Sequence, residues 1–170
     1  MSTVHDDIFY LCKELHDIDN IELPKRWFSL AFNRLLHDNF APKFMWDALF
    51  EYCRRSGDLE CYIGEEDFFL SHDKNEMDKV LLSETSVISY LVHDFRFTRN
   101  YVLISLSKRW AVRLDQDVIY FLFRVEDKDY IFKLFGGFDN VENMMLNEFD
   151  GVKGRAGAVE KYVSALLKNI

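Results

Sequence analysis

Residues 101–135 read YVLISLSKRWAVRLDQDVIYFLFRVEDKDYIFKLF, and the fold turns on how this stretch is interpreted. In Trp110-Ala111-Val112-Arg113-Leu114-Asp115, apolar Trp110, Val112 and Leu114 alternate with Arg113 and Asp115. A period of two sends one set of side chains to a core and the other toward water. Val118 to Phe123 is apolar at every position, as expected for a strand covered on both faces. Asp115-Gln116-Asp117 and Glu126-Asp127-Lys128-Asp129 are polar breaks of hairpin length. Together with YVLISL before and YIFKLF after, the pattern predicts an antiparallel β-meander of about four strands.

On the C-terminal side, Asp139 and Glu142 have the spacing of a capping box, and Val141, Met144, Met145 and Phe149 predict a short helix. A glycine-rich loop from Gly151 to Gly157 breaks it, and Val159, Tyr162, Val163, Leu166 and Leu167 stripe a final helix. On the N-terminal side the reading is helical. Val4, Ile8, Leu11 and Leu15 form one stripe, with Asp6 and Asp7 in the first turn, where the helix dipole favours negative charge. After Pro24, the stripe is Phe28, Ala31, Phe32, Leu35 and Leu36. After Pro42 it is Met45, Leu49, Tyr52 and Cys53, with Gly57 placed to end the helix. Cys61-Tyr62-Ile63 suits a short strand, and Glu65-Glu66-Asp67 a charged turn. Met77, Val80 and Leu81 return to helical spacing, as do Val87, Ile88, Leu91, Val92 and Phe95. The expected architecture is α+β in a single domain, residues 1–170: a helical N-terminal half, the meander, then C-terminal helices.

A chain of 170 residues with 49% hydrophobic positions is long enough to bury a core, and its two prolines argue against disorder. Its formal charge of -8 opposes binding to a nucleic-acid backbone and favours a basic partner. MSTVHDDIFY is not the pattern of a secretion signal, and charged residues interrupt every apolar run before the ~18 residues a membrane helix needs. Cys12, Cys53 and Cys61 show neither a disulfide framework nor metal spacing. A cytoplasmic setting with buried or idle thiols is the expectation.

All five histidines, His5, His16, His37, His72 and His93, are followed by aspartate. Metal phosphohydrolases of the HD type use such pairs, but successive residues on a helix point about 100° apart, and adjacent helix-end polar groups need no metal. Neither Ser105 nor Ser107 stands in a nucleophile elbow, and both fit hairpin-turn positions. Gly151-Val152-Lys153-Gly154 matches the G-x-x-G of KH domains, and Lys153 and Arg155 precede a helix N-terminus that can hold an anion, but the loop lacks the spacing of a P-loop and reads equally as a connector. Three carboxylate clusters remain: Glu65, Glu66 and Asp67; Asp115 and Asp117; Glu126, Asp127 and Asp129. They read either as solvated turns or as an acidic surface that meets the Arg/Lys clefts of a phosphate-handling protein.

The run LISLSKRWAVRLDQDVIYFLF resembles a pattern found in immunity proteins of bacterial polymorphic toxins, including those of contact-dependent growth inhibition systems. Ser105, Ser107, Trp110, Asp115 and Val118 to Phe123 carry the resemblance. It implies a cytoplasmic protein without catalysis or cofactor that binds a cognate toxin domain, with no membrane partner and no direct contact to nucleic acid. The acidic clusters named above are then the expected contact residues. Two rivals from other classes stand beside this reading: an HD-like metal phosphohydrolase, and a phage or mobile-element accessory binding protein.

Overall fold

The computed structural model, which describes residues 23–38, 40–67, 77–150 and 157–170, bears out a meander at the centre of the chain. In chain order the strands are β1 (Trp27–Asn33), β2 (Glu60–Glu65), β3 (Asp78–Leu81), β4 (Tyr101–Ser105), β5 (Trp110–Leu114) and β6 (Val118–Arg124). The helices are α1 (Lys43–Ser56), α2 (Glu84–Val92), α3 (Lys128–Leu134), α4 (Phe138–Glu148) and α5 (Ala158–Leu166). The sheet is antiparallel throughout, in the order β1-β6-β5-β4-β2-β3. The α+β class therefore holds, with six strands in place of about four and helices interspersed among them. A helical N-terminal half is not what the described residues show; the Val4–Leu15 stripe lies outside them.

Each departure has a physical cause. WFSLAFN, read as a helical stripe after Pro24, is β1, and all but its last residue are buried. A run apolar at consecutive positions satisfies helical and strand spacing alike, and pairing decides between them. Here Phe28 sits opposite Phe123 and Ala31 opposite Tyr120. Asp78–Leu81, also read as helical, is a strand because it pairs with residues 60–63 of β2. The expected last strand of the meander, YIFKLF, is instead mostly α3. β6 already has β5 on one side and β1 on the other, so no edge is left for it, and the run covers the sheet instead. Consistently, Phe132 packs at 5.3 Å from the Phe28 ring. Glu126 to Asp129 accordingly forms a 3₁₀ turn running into α3 and not a hairpin. The capping box at Asp139 and Glu142 does not form: Gly137 caps α4 at φ 111, with no side-chain cap.

Other expectations hold. α1 begins after Pro42 and ends at Gly57, whose φ of 78 is the left-handed geometry that glycine adopts without strain. Cys61-Tyr62-Ile63 lies in β2, and α5 carries the stripe Val163, Leu166 and Leu167 into the core.

Helices α1, α2 and α3 pack on one face of the sheet, while α4 and α5 pack against β1, from where the Tyr162 hydroxyl of α5 reaches Tyr120 on the other face (2.8 Å). Trp46 of α1 meets the edge of Phe121 at 5.2 Å, and Phe121 in turn meets Phe32 at 5.8 Å. Trp110 is fully buried on this face with Val112 and Leu114. The opposite face is equally dry: Trp27, Tyr62, Val102, Ile104, Ala111 and Leu122 form a second buried cluster. Arg113, expected to face water, points into this second face and is 5% exposed. The outer edge of β1, which would otherwise offer unpaired backbone groups, is closed by side chains of α4 and of the turn that follows α5. Ala31 N–H donates to Met145 Sδ (3.3 Å), Asn33 N–H to Glu148 Oε2 (3.0 Å), and Asn169 Nδ2 to Trp27 O (2.8 Å).

Phe121 is thus the ring on which α1 and β1 converge. Phe121→Ala is expected to lower unfolding free energy by about 3–5 kcal/mol in urea titration, whereas Leu35→Ser, at a side chain the sequence placed in a core stripe but the fold leaves outside, should change it by less than about 0.5 kcal/mol. Equal costs at the two positions would contradict this packing.

Candidate functional site

The strand register divides the carboxylates predicted as contacts between two ends of the sheet. β5 ends at Leu114 opposite Ile119, β4 begins at Tyr101 opposite Leu114, and β2 ends at Glu65 opposite Tyr101. Asp115, Asp117, Glu65, Glu66 and Asp67 therefore share one end. Glu126, Asp127 and Asp129 follow β6 at the other, beside the β4–β5 turn.

At the first end, Arg34 is the tie. It follows β1 and is 2% exposed. Its backbone N–H donates to Asp117 O (3.0 Å), and its guanidinium donates to Asp115 O and Phe97 O. Burial lowers its pKa from the ordinary arginine value, and the nearby Asp115 and Asp117 oppose that shift. One buried cation thus clamps the 3₁₀ turn Arg34–Leu36, the β5–β6 turn and the segment His93–Thr98. His37 adds a second tie: its Nε2 lies 2.9 Å from both Glu148 oxygens. Phe40 packs against Phe97, tilted, with ring centroids 5.7 Å apart.

These ties hold apolar side chains in water. Leu35 is 68% exposed, Leu36 61% and Phe95 71%. Phe95 and Asp94 both have φ near 54, and Asp38 has φ 52, conformations that non-glycine residues rarely adopt. Asp38, Asp94 and Asp117 are exposed around them, and Asp115 is one-third exposed. The sequence stripes had assigned Leu35, Leu36 and Phe95 to helix cores, and nothing in their spacing marks them as outward-facing.

The acidic residues differ in availability. Glu66 is buried against Arg113, Oε1 to Nε 2.8 Å, with both side chains under 8% exposed. Glu65 pairs with Arg99, and Asp67 is exposed. At the opposite end, Asp127 is 9% exposed. It accepts from the Tyr52 hydroxyl (2.6 Å) and from Arg109, whose Nε lies at 3.1 Å. Glu126 pairs with Arg26 at the surface, and Asp129 is exposed on α3.

Ser105 and Ser107 have structural partners. Ser105 Oγ accepts from the backbone N–H of Arg109 (3.0 Å) and Trp110 (3.3 Å). Asp58 accepts from Ser107 Oγ (2.7 Å) and Trp110 Nε1 (3.2 Å). Cys53 and Cys61 are free and buried, and burial pushes the Cys61 thiol up to about 12. Of the His-Asp pairs, His93 Nδ1 sits 2.9 Å from Asp94 at the surface. His5, His16 and His72 lie outside the described residues. Among the described residues no group of three or more His, Cys, Asp or Glu is placed to hold a metal ion. Residues 151–156 of the glycine loop also lie outside them, and Gly157 precedes α5 at φ 77. No described helix is long and apolar enough to cross a membrane.

Compared with family models, curated proteins and solved structures, the chain finds no match.

The two classes of carboxylate should separate in stability measurements. Glu66→Ala removes the nearer carboxylate of buried Arg113, leaving Asp115 Oδ2 at 3.8 Å, and is expected to cost about 3 kcal/mol; Asp117→Asn, at the surface, should cost less than about 0.5 kcal/mol. Chemical denaturation of the two variants decides whether Glu66 belongs to the fold.

Proposed function

We propose that this chain is a non-catalytic inhibitor of the immunity type, which neutralises a cognate toxin domain by covering a basic face such as the phosphate-binding cleft of a nuclease. The observation that supports this best is the first end of the sheet: Leu35, Leu36 and Phe95 held out in water beside exposed Asp38, Asp94 and Asp117. An apolar centre with a charged rim is the anatomy of a protein interface. Aromatic and aliphatic anchors supply the desolvation, and the acidic rim speeds encounter with a partner of opposite sign. The overall charge of -8 adds a long-range field of the same sign. Burying Arg34 and closing the turns on it keeps the loops from paying much ordering entropy on binding.

The contact set is narrower than the eight acids read from the sequence. In this proposal Asp115 and Asp117 contact the toxin, with Asp67 and Glu65 flanking them and Asp38 and Asp94 added. Glu66 and Asp127 hold the fold, and Glu126 and Asp129 stand at the far end. Arg99 is paired with Glu65, and Arg96 lies 4.0 Å over the Tyr90 ring, so these two cations are engaged within the chain.

Co-expression with the product of the neighbouring gene tests the proposal. A stable pair and suppression of toxicity are expected. Leu35→Ser with Phe95→Ser should weaken the pair by about 100-fold or more, and Asp115→Lys with Asp117→Lys should slow association about tenfold and flatten its salt dependence. Affinity indifferent to both double variants, or metal-dependent phosphoester hydrolysis lost in His37→Ala, would reject it.

A further inference from the structure

The second face of the sheet is dry, yet every buried apolar side chain contributed by the described helices belongs to the cluster on the first face. Tyr62, Ile104, Ala111 and Leu122 stand opposite one another on β2, β4, β5 and β6, with Trp27 and Val102 beside this row. None of the six is more than 6% exposed, and Ile104 and Leu122 are 0% exposed. Arg124 lies over the Trp27 ring and Lys79 over the Tyr62 ring, which covers the two ends of the cluster. Among the described residues, the partly buried apolar side chains packed against it are Leu23, Met77, Leu106 and Tyr120, all on the strands or the segments flanking them. The middle of a sheet face reaches zero exposure beneath another layer, and side chains at its margin do not supply one.

The cluster is buried within a single chain, so its cover is neither a second copy nor a partner but one of the segments 1–22, 68–76 and 151–156. Residues 151–156, GVKGRA, hold one large apolar side chain, Val152. In 68–76, FFLSHDKNE, the apolar residues lie within three positions of Asp67, just past β2. Three positions reach about 10 Å, whereas Leu122 on β6 is three strand spacings from β2, about 14 Å. Residues 1–22 have both the length and the pattern. They lead into Leu23, which itself packs on the cluster, and the Trp27 N–H bonded to Pro24 O (2.9 Å) fixes how the chain enters β1.

We propose that residues 4–15 dock on this face as an amphipathic helix, with the stripe Val4, Ile8, Leu11 and Leu15 laid on the row from Tyr62 to Leu122. From Val4 to Leu15 the stripe is about 16 Å long at ~1.5 Å per residue, against about 14 Å for the row. The stretch from Leu15 to Leu23 spans up to about 26 Å when extended, enough to bring the stripe back over the middle of the sheet. Asp6, Lys13 and Asp17 fall on the side of the helix away from the stripe, where docking leaves them in water. Without this cover the six side chains would form an apolar patch of the kind that drives association. The chain thus supplies its own partner for the second face.

A nitroxide on the full chain tests the docking, attached at Lys13→Cys with Cys12→Ser; Cys53 and Cys61 are buried. Methyl signals of Val102, Ile104 and Leu122 should broaden several-fold more than those of Leu103, Val112 and Ile119, whose side chains alternate to the first face. Moving the label to His72→Cys should relieve the broadening at Ala111 and Leu122. Equal broadening of the two sets from position 13, or none, would overturn the proposal. So would broadening of Ala111 and Leu122 from position 72 that matches that from position 13. Broadening seen when label and isotope are on different copies would assign the face to a second chain instead. Ile8→Asp with Leu11→Asp should shift the Val102, Ile104 and Leu122 methyls and leave Leu103 and Val112 in place, while Lys13→Gln should shift neither set. The label leaves the stripe intact, so it decides the matter even where the aspartate pair prevents folding.

Discussion

A sheet buried on both faces is the constraint to which the rest of this molecule answers. Strands covered on both sides cannot send ionised side chains to solvent through either face. Charge must therefore leave at the strand ends or find a partner inside. Arg113 does the second with Glu66, and Asp58 holds the buried Trp110 indole by the same logic. Arg34, Asp127 and Arg109 stand at the ends, where they organise the turns. The two ends became polar scaffolds because the two faces had to be dry.

The dry sheet also explains what the sequence disclosed and what it concealed. Val118 to Phe123 announced a central strand because a run without polar breaks between two turns has few other homes. Gly57 announced the end of α1 because left-handed backbone is readily available to glycine. WFSLAFN, interrupted only by Ser29 before Asn33, is ambiguous in the same way, since it fits a fully covered strand and a buried helix alike. Only the partner strand, some ninety positions later in the chain, resolves it, and no local pattern carries that information. Arg113 misled for a related reason: period-two alternation predicts a wet second face, and here that face is a second core.

The candidate site was legible in part. The acidic turn at Asp115 and Asp117 is visible as a polar break, and it does lie at an exposed end of the sheet. Its apolar companions were hidden, because Leu35, Leu36 and Phe95 continue the spacing of helical stripes and only tertiary structure shows them facing water. Arg34 gave no signal at all, since a cation that binds backbone carbonyls has no sequence spacing to its partners.

If this chain covers a toxin domain as proposed, recognition falls at the end where Arg34 gathers three turns. Hydrogen–deuterium exchange of the chain alone and in complex with the co-purified neighbouring gene product measures this most directly. Slowed exchange on binding at residues 34–38, 93–98 and 115–117, with the far turn at 105–110 unchanged, is the predicted result. Protection concentrated at 105–110 and 124–129, with the first end unaffected, would contradict it.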